Sequence, residues 1–125
     1  MIVQRDFLMR QIEQLSAALA RWATGQPAED DAHTLDQSEA DVTRVAGLGV
    51  DIAERVPAET VATLVDGDAN KLLALGLALG RRAWRHEDPS RARAALRLLD
   101  LAAARGATAD DLAAARDGLM SLALG

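Results

Sequence analysis

The sequence has 125 residues, enough for one domain with a single hydrophobic core. It contains no cysteine, which excludes disulfides, thiol chemistry and cysteine metal sites, and its net charge of −5 argues against nucleic acid as the main partner. Half of the residues are hydrophobic, but the only aromatic ones are Phe7, Trp22 and Trp84. Alanine and leucine must therefore form the core, and because both favour helices, the composition predicts an all-α fold.

The first predicted helix spans residues 4–24 and carries one continuous apolar stripe. The hydrophobic residues recur at a spacing typical of one face of an amphipathic helix. Such a helix needs a partner surface, either in its own chain or in a second copy. Gly25 and Pro27 predict its end. The N-terminal stripe consists of Leu8, Ile12, Leu15, Leu19 and Trp22.

This helix also resembles the start of an uncharacterised family of small all-helical bacterial proteins. The resemblance is carried by the pairs Asp6-Phe7 and Met9-Arg10 and by Ile12-Glu13-Gln14. It covers about a sixth of the chain. It implies a cytoplasmic, all-helical protein of no known activity, and it brings no catalytic residues to carry over.

A second helix is predicted from Thr34 to about Arg55, where Thr34 and Gln37 fit a capping box. The linker before it is short, so the first two helices should form an antiparallel hairpin. Gly47 and Gly49 weaken this helix, and we expect a kink or a close contact there.

A short third helix should start with Pro57 at its first position and stop at Asp66-Gly67. Asp68 is the expected N-cap of a fourth helix over 69–85. The centre of that helix is apolar on nearly every side, which predicts a position in the middle of the fold. Gly76 and Gly80 would permit a close helix crossing there.

The fifth predicted helix runs from Pro89 to Arg105, with Asp88 as its cap, and Gly106 ends it. Thr108 is the expected cap of a sixth helix. Helices four and five resemble one unit of a tetratricopeptide array. The matching residues are Leu72, Leu75-Gly76 and Leu79 in helix four, and Ala92 and Leu96 in helix five. One unit is no array, so it indicates stacked antiparallel helix pairs rather than peptide binding.

Two patterns suggest metal chemistry without completing it. Asp66, Asp68 and Asn70 occupy positions 1, 3 and 5 of a calcium loop, but the required glycine and the final glutamate are missing. His33 and His86 stand beside acidic residues in predicted loops, and neither has a second histidine at helical spacing. We therefore predict no metal site, no cofactor and no catalytic residues.

The charge is distributed unevenly. Residues 1–66 hold 12 acidic and 5 basic side chains, whereas residues 67–125 hold 7 acidic and 9 basic ones. The densest basic region could pair with the acidic half, including residues 29–31, within the chain or across a dimer, or it could bind an anion or nucleic acid. This arginine cluster consists of Arg81, Arg82, Arg85, Arg91, Arg93 and Arg97.

We predict a single all-α domain over 1–125 with about six helices, in which a helical hairpin (1–56) packs on a compact, tetratricopeptide-like part (57–125). No secretory signal opens the chain, and the apolar stretch 72–80 is too short to span a membrane, so we expect a cytoplasmic protein.

The first functional hypothesis is a non-catalytic protein-interaction or oligomerisation module, a homo-oligomer such as a dimer or the partner of another protein, with the N-terminal stripe as its interface. The second is a regulatory protein that binds an anion or nucleic acid through the arginine cluster. An enzyme is the third, because no catalytic constellation with a recognisable spacing appears.

Overall fold

The computed structural model describes residues 2–26 and 31–125, and over them the chain is all-α with no strand. Pro27, Glu29 and Asp30 lie outside the described residues. No helix in the described part of the chain is long and apolar enough to cross a membrane. The helices are α1 (Ile2–Ala23), α2 (Asp31–Ala46), α3 (Val50–Arg55), α4 (Ala58–Leu64), α5 (Ala69–Arg85), α6 (Pro89–Ala104) and α7 (Leu112–Leu124).

The predicted hairpin of α1 and α2 is present. The Ser38 hydroxyl donates to the Gln14 side-chain oxygen at 3.1 Å, and the Arg44 guanidinium lies 5.4 Å from the centre of the Phe7 ring. Since positions further along α2 meet positions earlier in α1, the two helices run antiparallel. Gly25 ends α1 with a φ of +77°, and its amide bonds back to the carbonyl of Trp22.

The second predicted helix is in fact two helices. Gly47 has a φ of +71°, a left-handed conformation that stops α2, and α3 starts at Val50. A Cβ at Gly47 or Gly49 would meet nothing within 4 Å. The expected close contact is therefore wrong, and the expected kink is a complete break that the backbone conformation of Gly47 produces.

Two of the predicted helix caps are confirmed. The Asp68 carboxylate accepts the amides of Asn70 and Lys71, at 3.0 and 3.2 Å. The Asp88 carboxylate does the same at the start of α6, where Pro89 takes the first helical position.

Three predicted helix starts are wrong. The helix α2 begins at Asp31, so Thr34 lies inside it, and the Gln37 amide donates to Asp41 instead of reaching back. The backbone of Thr108 lies in the turn before α7, whose N-cap is Asp111, and Pro57 stands just before α4 as its N-cap. Local polar patterns marked these turns correctly but not the exact residue at which each helix starts.

The central position of α5 is confirmed, since every residue from Leu72 to Arg81 in it is buried. A Cβ at Gly76 would lie 2.9 Å from a methyl of Leu99 in α6, and one at Gly80 would lie 2.9 Å from a methyl of Leu119 in α7. The two glycines therefore permit close approach, each to a different helix. The contact of Gly76 with Leu99 across the turn 86–88 shows that α5 and α6 are antiparallel.

A second set of close contacts brings α1, α5 and α7 together. The buried Ser16 hydroxyl donates to the carbonyl of Asp110 at 2.6 Å, just before α7 begins. Further along, the rings of Trp22 and Trp84 stack with centroids 4.6 Å apart. A Cβ at Gly118 would lie 2.7 Å from the Cβ of Ala23 and 2.8 Å from the Trp84 ring. All seven helices of the described chain contribute residues to one hydrophobic core.

Candidate functional site

The arginine cluster meets the acidic half of the chain inside the molecule. Arg81, at the C-terminal part of α5, has a side chain only 6% exposed. Its guanidinium donates to the Glu39 carboxylate at 3.0 Å and also to Asp36, both on α2. The predicted pairing of the two charge-rich halves is therefore confirmed for this residue, and it occurs within one chain.

The next arginine extends the same network to α3. The Arg82 Nε donates to the second oxygen of Glu39 at 2.6 Å, and another nitrogen of Arg82 donates to Asp51. Glu39 therefore accepts from Arg81 with one oxygen and from Arg82 with the other. Because α5 bonds to both α2 and α3, the network fixes these two short helices against the centre of the fold.

Arg85 and Arg91 of the arginine cluster are also paired, and their side chains are more exposed than that of Arg81. Arg85 reaches Asp36 at 3.3 Å from a side chain that is 57% exposed. Arg91 on α6 donates to Glu54 on α3 and lies 3.6 Å from Asp88. Four of the six arginines in the cluster are thus paired with carboxylates of the same chain.

The pairing holds these groups in their charged forms. The hydrogen bond from Arg81, together with its charge, lowers the pKa of Asp36, and Arg82 lowers the pKa of Asp51 in the same way. Burial alone would lower the pKa of Arg82, but its hydrogen bonds to Glu39 and Asp51 outweigh burial and raise that pKa. All three pKa values move away from neutrality, so the charges are fixed over the physiological pH range.

An open groove of about 680 Å³ runs along this network between α2 and α5. We call it the α2–α5 groove. Its walls carry both signs of charge, and its rim includes the exposed side chains of Ala40 and His86. The groove is lined by Asp36, Glu39, Ala40, Thr43, Arg81, Arg82, Arg85 and His86.

The remaining two arginines of the cluster lie elsewhere on α6. Arg93 donates to the backbone carbonyl of Ala123 at 2.9 Å, near the end of α7. Arg97 is exposed and borders a second, more enclosed cleft of about 330 Å³, together with Arg55. The sequence analysis did not single out Arg55, because it lies far from the cluster in sequence and only the packing of α3 against α6 brings it near Arg97.

The N-terminal stripe is used inside the chain. Leu8, Ile12, Leu15 and Leu19 are at most 4% exposed, and Trp22 stacks on Trp84. A partner could reach the four aliphatic side chains only if the fold opened, whereas Trp22 is partly exposed. The aliphatic part of the stripe therefore supplies the core and is not available as a surface between molecules.

The residues weighed for metal binding have ordinary structural positions. Asp68 is a helix cap, and its neighbour Asp66 lies in a left-handed turn with a φ of +57°. His33 and His86 are both exposed. Within 2–26 and 31–125, no group of three or more potential metal ligands comes together.

No family model, no curated protein and no solved structure matches this chain. The resemblance of the first helix to a small bacterial family, and that of α5 and α6 to a tetratricopeptide unit, therefore stay predictions.

Proposed function

We propose that the protein is a non-catalytic protein-interaction module and that the α2–α5 groove is its contact surface. The observation that carries this proposal is the fixed charge pattern of the groove. General acid–base catalysis needs pKa values close to the working pH. The groove instead holds the Asp36 carboxyl group, whose pKa is lowered, beside the Arg82 guanidinium, whose pKa is raised.

The shape of the groove supports a protein partner over a small molecule. Small ligands are usually bound in enclosed cavities, whereas the α2–α5 groove is open and carries both charge signs. Charged groups held in place at a surface give specificity and speed to protein association. The Asp36 and Asp51 side chains are 58% and 70% exposed, so their outer edges remain available although each is bonded to an arginine.

The partner is either another protein or a second copy of this chain. Of the N-terminal stripe, which suggested self-association, the four aliphatic residues are buried in the core and Trp22 is partly buried. A homo-oligomer would therefore form through the groove, where the mixed charges could complement those of a second copy about a twofold axis. A cytoplasmic location, expected from the sequence, stays part of this proposal.

The test blocks the groove without breaking its ion pairs. Ala40→Arg puts a long charged side chain at the rim, on an exposed helical position that tolerates arginine. Ala113→Arg is the matched control, since Ala113 is exposed on α7, away from the groove. Both variants and the wild type are tagged and captured from a lysate of the source cell, with and without nuclease treatment, and the mass of each purified protein is measured by light scattering.

The proposal is supported if the wild type and Ala113→Arg both retain a stoichiometric partner or an oligomer and Ala40→Arg loses it. A monomer that captures nothing, or a partner retained by Ala40→Arg, contradicts it. Partners lost on nuclease treatment would instead favour the regulatory alternative, in which arginines bind nucleic acid. That alternative has less support, because Arg81, Arg82, Arg85 and Arg91 are already paired with carboxylates.

A further inference from the structure

The cleft that Arg55 and Arg97 border lies between the end of α3, the start of α4 and the outer side of α6. We call it the Arg55–Arg97 cleft. Its volume of about 330 Å³ is at the small end of the range for ligand cavities. Its exposed lining is more polar than apolar, and apolar side chains supply the smaller part. The apolar side chains belong to Val56, Pro57, Ala94 and Leu98.

Arg55 and Arg97 both line this small cleft, and the charge of Arg55 contributes to the lowered pKa of Asp51 without a direct ion pair. Among the described residues, no acidic side chain lies within ion-pairing distance of Arg55 or Arg97. The acidic group in the wall, Glu54, is engaged by Arg91. Asp51, one turn before Arg55, is engaged by Arg82.

This arrangement differs from that of the arginine cluster. Arg81, Arg82 and Arg91 are each paired with a carboxylate of the same chain. The net charge of −5 shows that the chain has more acidic than basic side chains. In the cleft, two like charges border the same space, and an anion placed between them would relieve their mutual repulsion. Guanidinium groups bind carboxylates and phosphates with paired hydrogen bonds.

We propose that the Arg55–Arg97 cleft binds a small oxyanion ligand, in which a phosphate or carboxylate group is joined to a short apolar group. The two arginines bind the oxyanion, and the apolar side chains of the cleft pack against the remainder of the ligand. The proposal is independent of the α2–α5 groove, because the cleft shares no lining residue with it.

The test follows the arginine Nε–H signals and the backbone amides by NMR while a probe is added to the whole protein. Phenyl phosphate and benzoate are the two anionic probes, inorganic phosphate lacks the apolar group, and phenol lacks the charge. The expected result is a saturable shift of the Arg55 and Arg97 signals and of the Leu98 amide. Binding of phenyl phosphate alone, or of benzoate alone, supports the proposal and identifies the oxyanion that the cleft prefers.

The variants Arg55→Gln and Arg97→Gln should each weaken binding of the anionic probe by about tenfold or more, because one of two charge-assisted contacts is lost. Arg97→Lys keeps the charge and should recover part of the affinity. Arg105→Gln is the control, since Arg105 is also exposed and lies at the end of the same helix, outside the cleft.

Three results would overturn the proposal. The first is the absence of a saturable shift with either anionic probe. The second is equal loss of binding in Arg105→Gln, which would indicate a diffuse charge effect. The third is equal binding of phenol, which would show that the arginines contribute nothing. All the substitutions are at exposed positions, so the variants should fold, and the amide spectra report this directly.

Discussion

Replacing Arg81 with methionine should destabilise the protein far more than the same change at Arg85. Methionine keeps most of the length and apolar volume of the arginine side chain, so the change mainly removes the charge and its hydrogen bonds. Arg81 is 6% exposed and bonds to two carboxylates, whereas Arg85 is 57% exposed and reaches only Asp36, at 3.3 Å.

The expected magnitude follows from what each change leaves behind. Removing one partner of a fully buried ion pair costs about 3–5 kcal/mol. Glu39 is 12% exposed and would keep its bond to Arg82, so the Arg81→Met penalty should be somewhat smaller, about 2–4 kcal/mol. Arg85→Met removes a solvent-exposed pair and should cost about 0–1 kcal/mol.

Urea unfolding at neutral pH, followed by tryptophan fluorescence, measures both variants. With a urea dependence of about 1–2 kcal/mol per molar for a chain of this size, Arg81→Met should lower the midpoint by about 1–4 M. Trp22 and Trp84 are stacked on each other, partly buried against the core, and should report global unfolding. If Arg81→Met lost no more stability than Arg85→Met, the buried ion pairs of Arg81 would not stabilise the packing of α2 against α5.

The same network predicts how stability depends on pH. Asp36 and Asp51 have folded-state pKa values below those in the unfolded chain. Their contribution is therefore fully present above the ordinary carboxyl pKa of about 4, and it is lost as the pH falls through the lowered folded values. The melting temperature should fall below about pH 4 less steeply in the double variant Asp36→Asn, Asp51→Asn than in the wild type. Parallel profiles would show that these two carboxylates do not contribute.

Two further predictions concern the contact of α7 with α1. Gly118→Ala should cost about 1–2 kcal/mol of stability, because overlap of the new methyl group with Ala23 and Trp84 outweighs the gain in helix propensity. The near-UV circular dichroism of the tryptophan stack should change as well. An unchanged spectrum with a higher melting temperature would contradict this prediction. Ser16→Ala should cost about 0.5–1.5 kcal/mol in urea unfolding, because the hydrogen bond from the buried Ser16 hydroxyl to the carbonyl of Asp110 is lost. Equal stability of Ser16→Ala and wild type would show that water replaces the hydroxyl.

The sequence by itself determined the all-α class and most of the helices. The fourth predicted helix, 69–85, coincides with α5, and its N-cap Asp68 makes the expected bonds. These features depend on residues within one turn of each other, so composition and spacing are sufficient to predict them. The break at Gly47 was anticipated only as a kink, because glycine weakens a helix in general, and whether a given glycine takes a positive φ depends on the packing around it.

Only the tertiary structure decided which surface covers each apolar face and which charges meet. The spacing of the N-terminal stripe is the same whether its partner is α5 in the same chain or a second copy, and the fold buries it internally. The sequence offered pairing with the acidic half as one of two roles for the arginine cluster, but it did not select Glu39 as the shared acceptor of Arg81 and Arg82. Arg55 and Arg97 are 42 positions apart in the sequence and border one cleft because α3 packs on α6. Long-range pairing is a property of how the helices pack, and the local pattern of each helix does not contain that information.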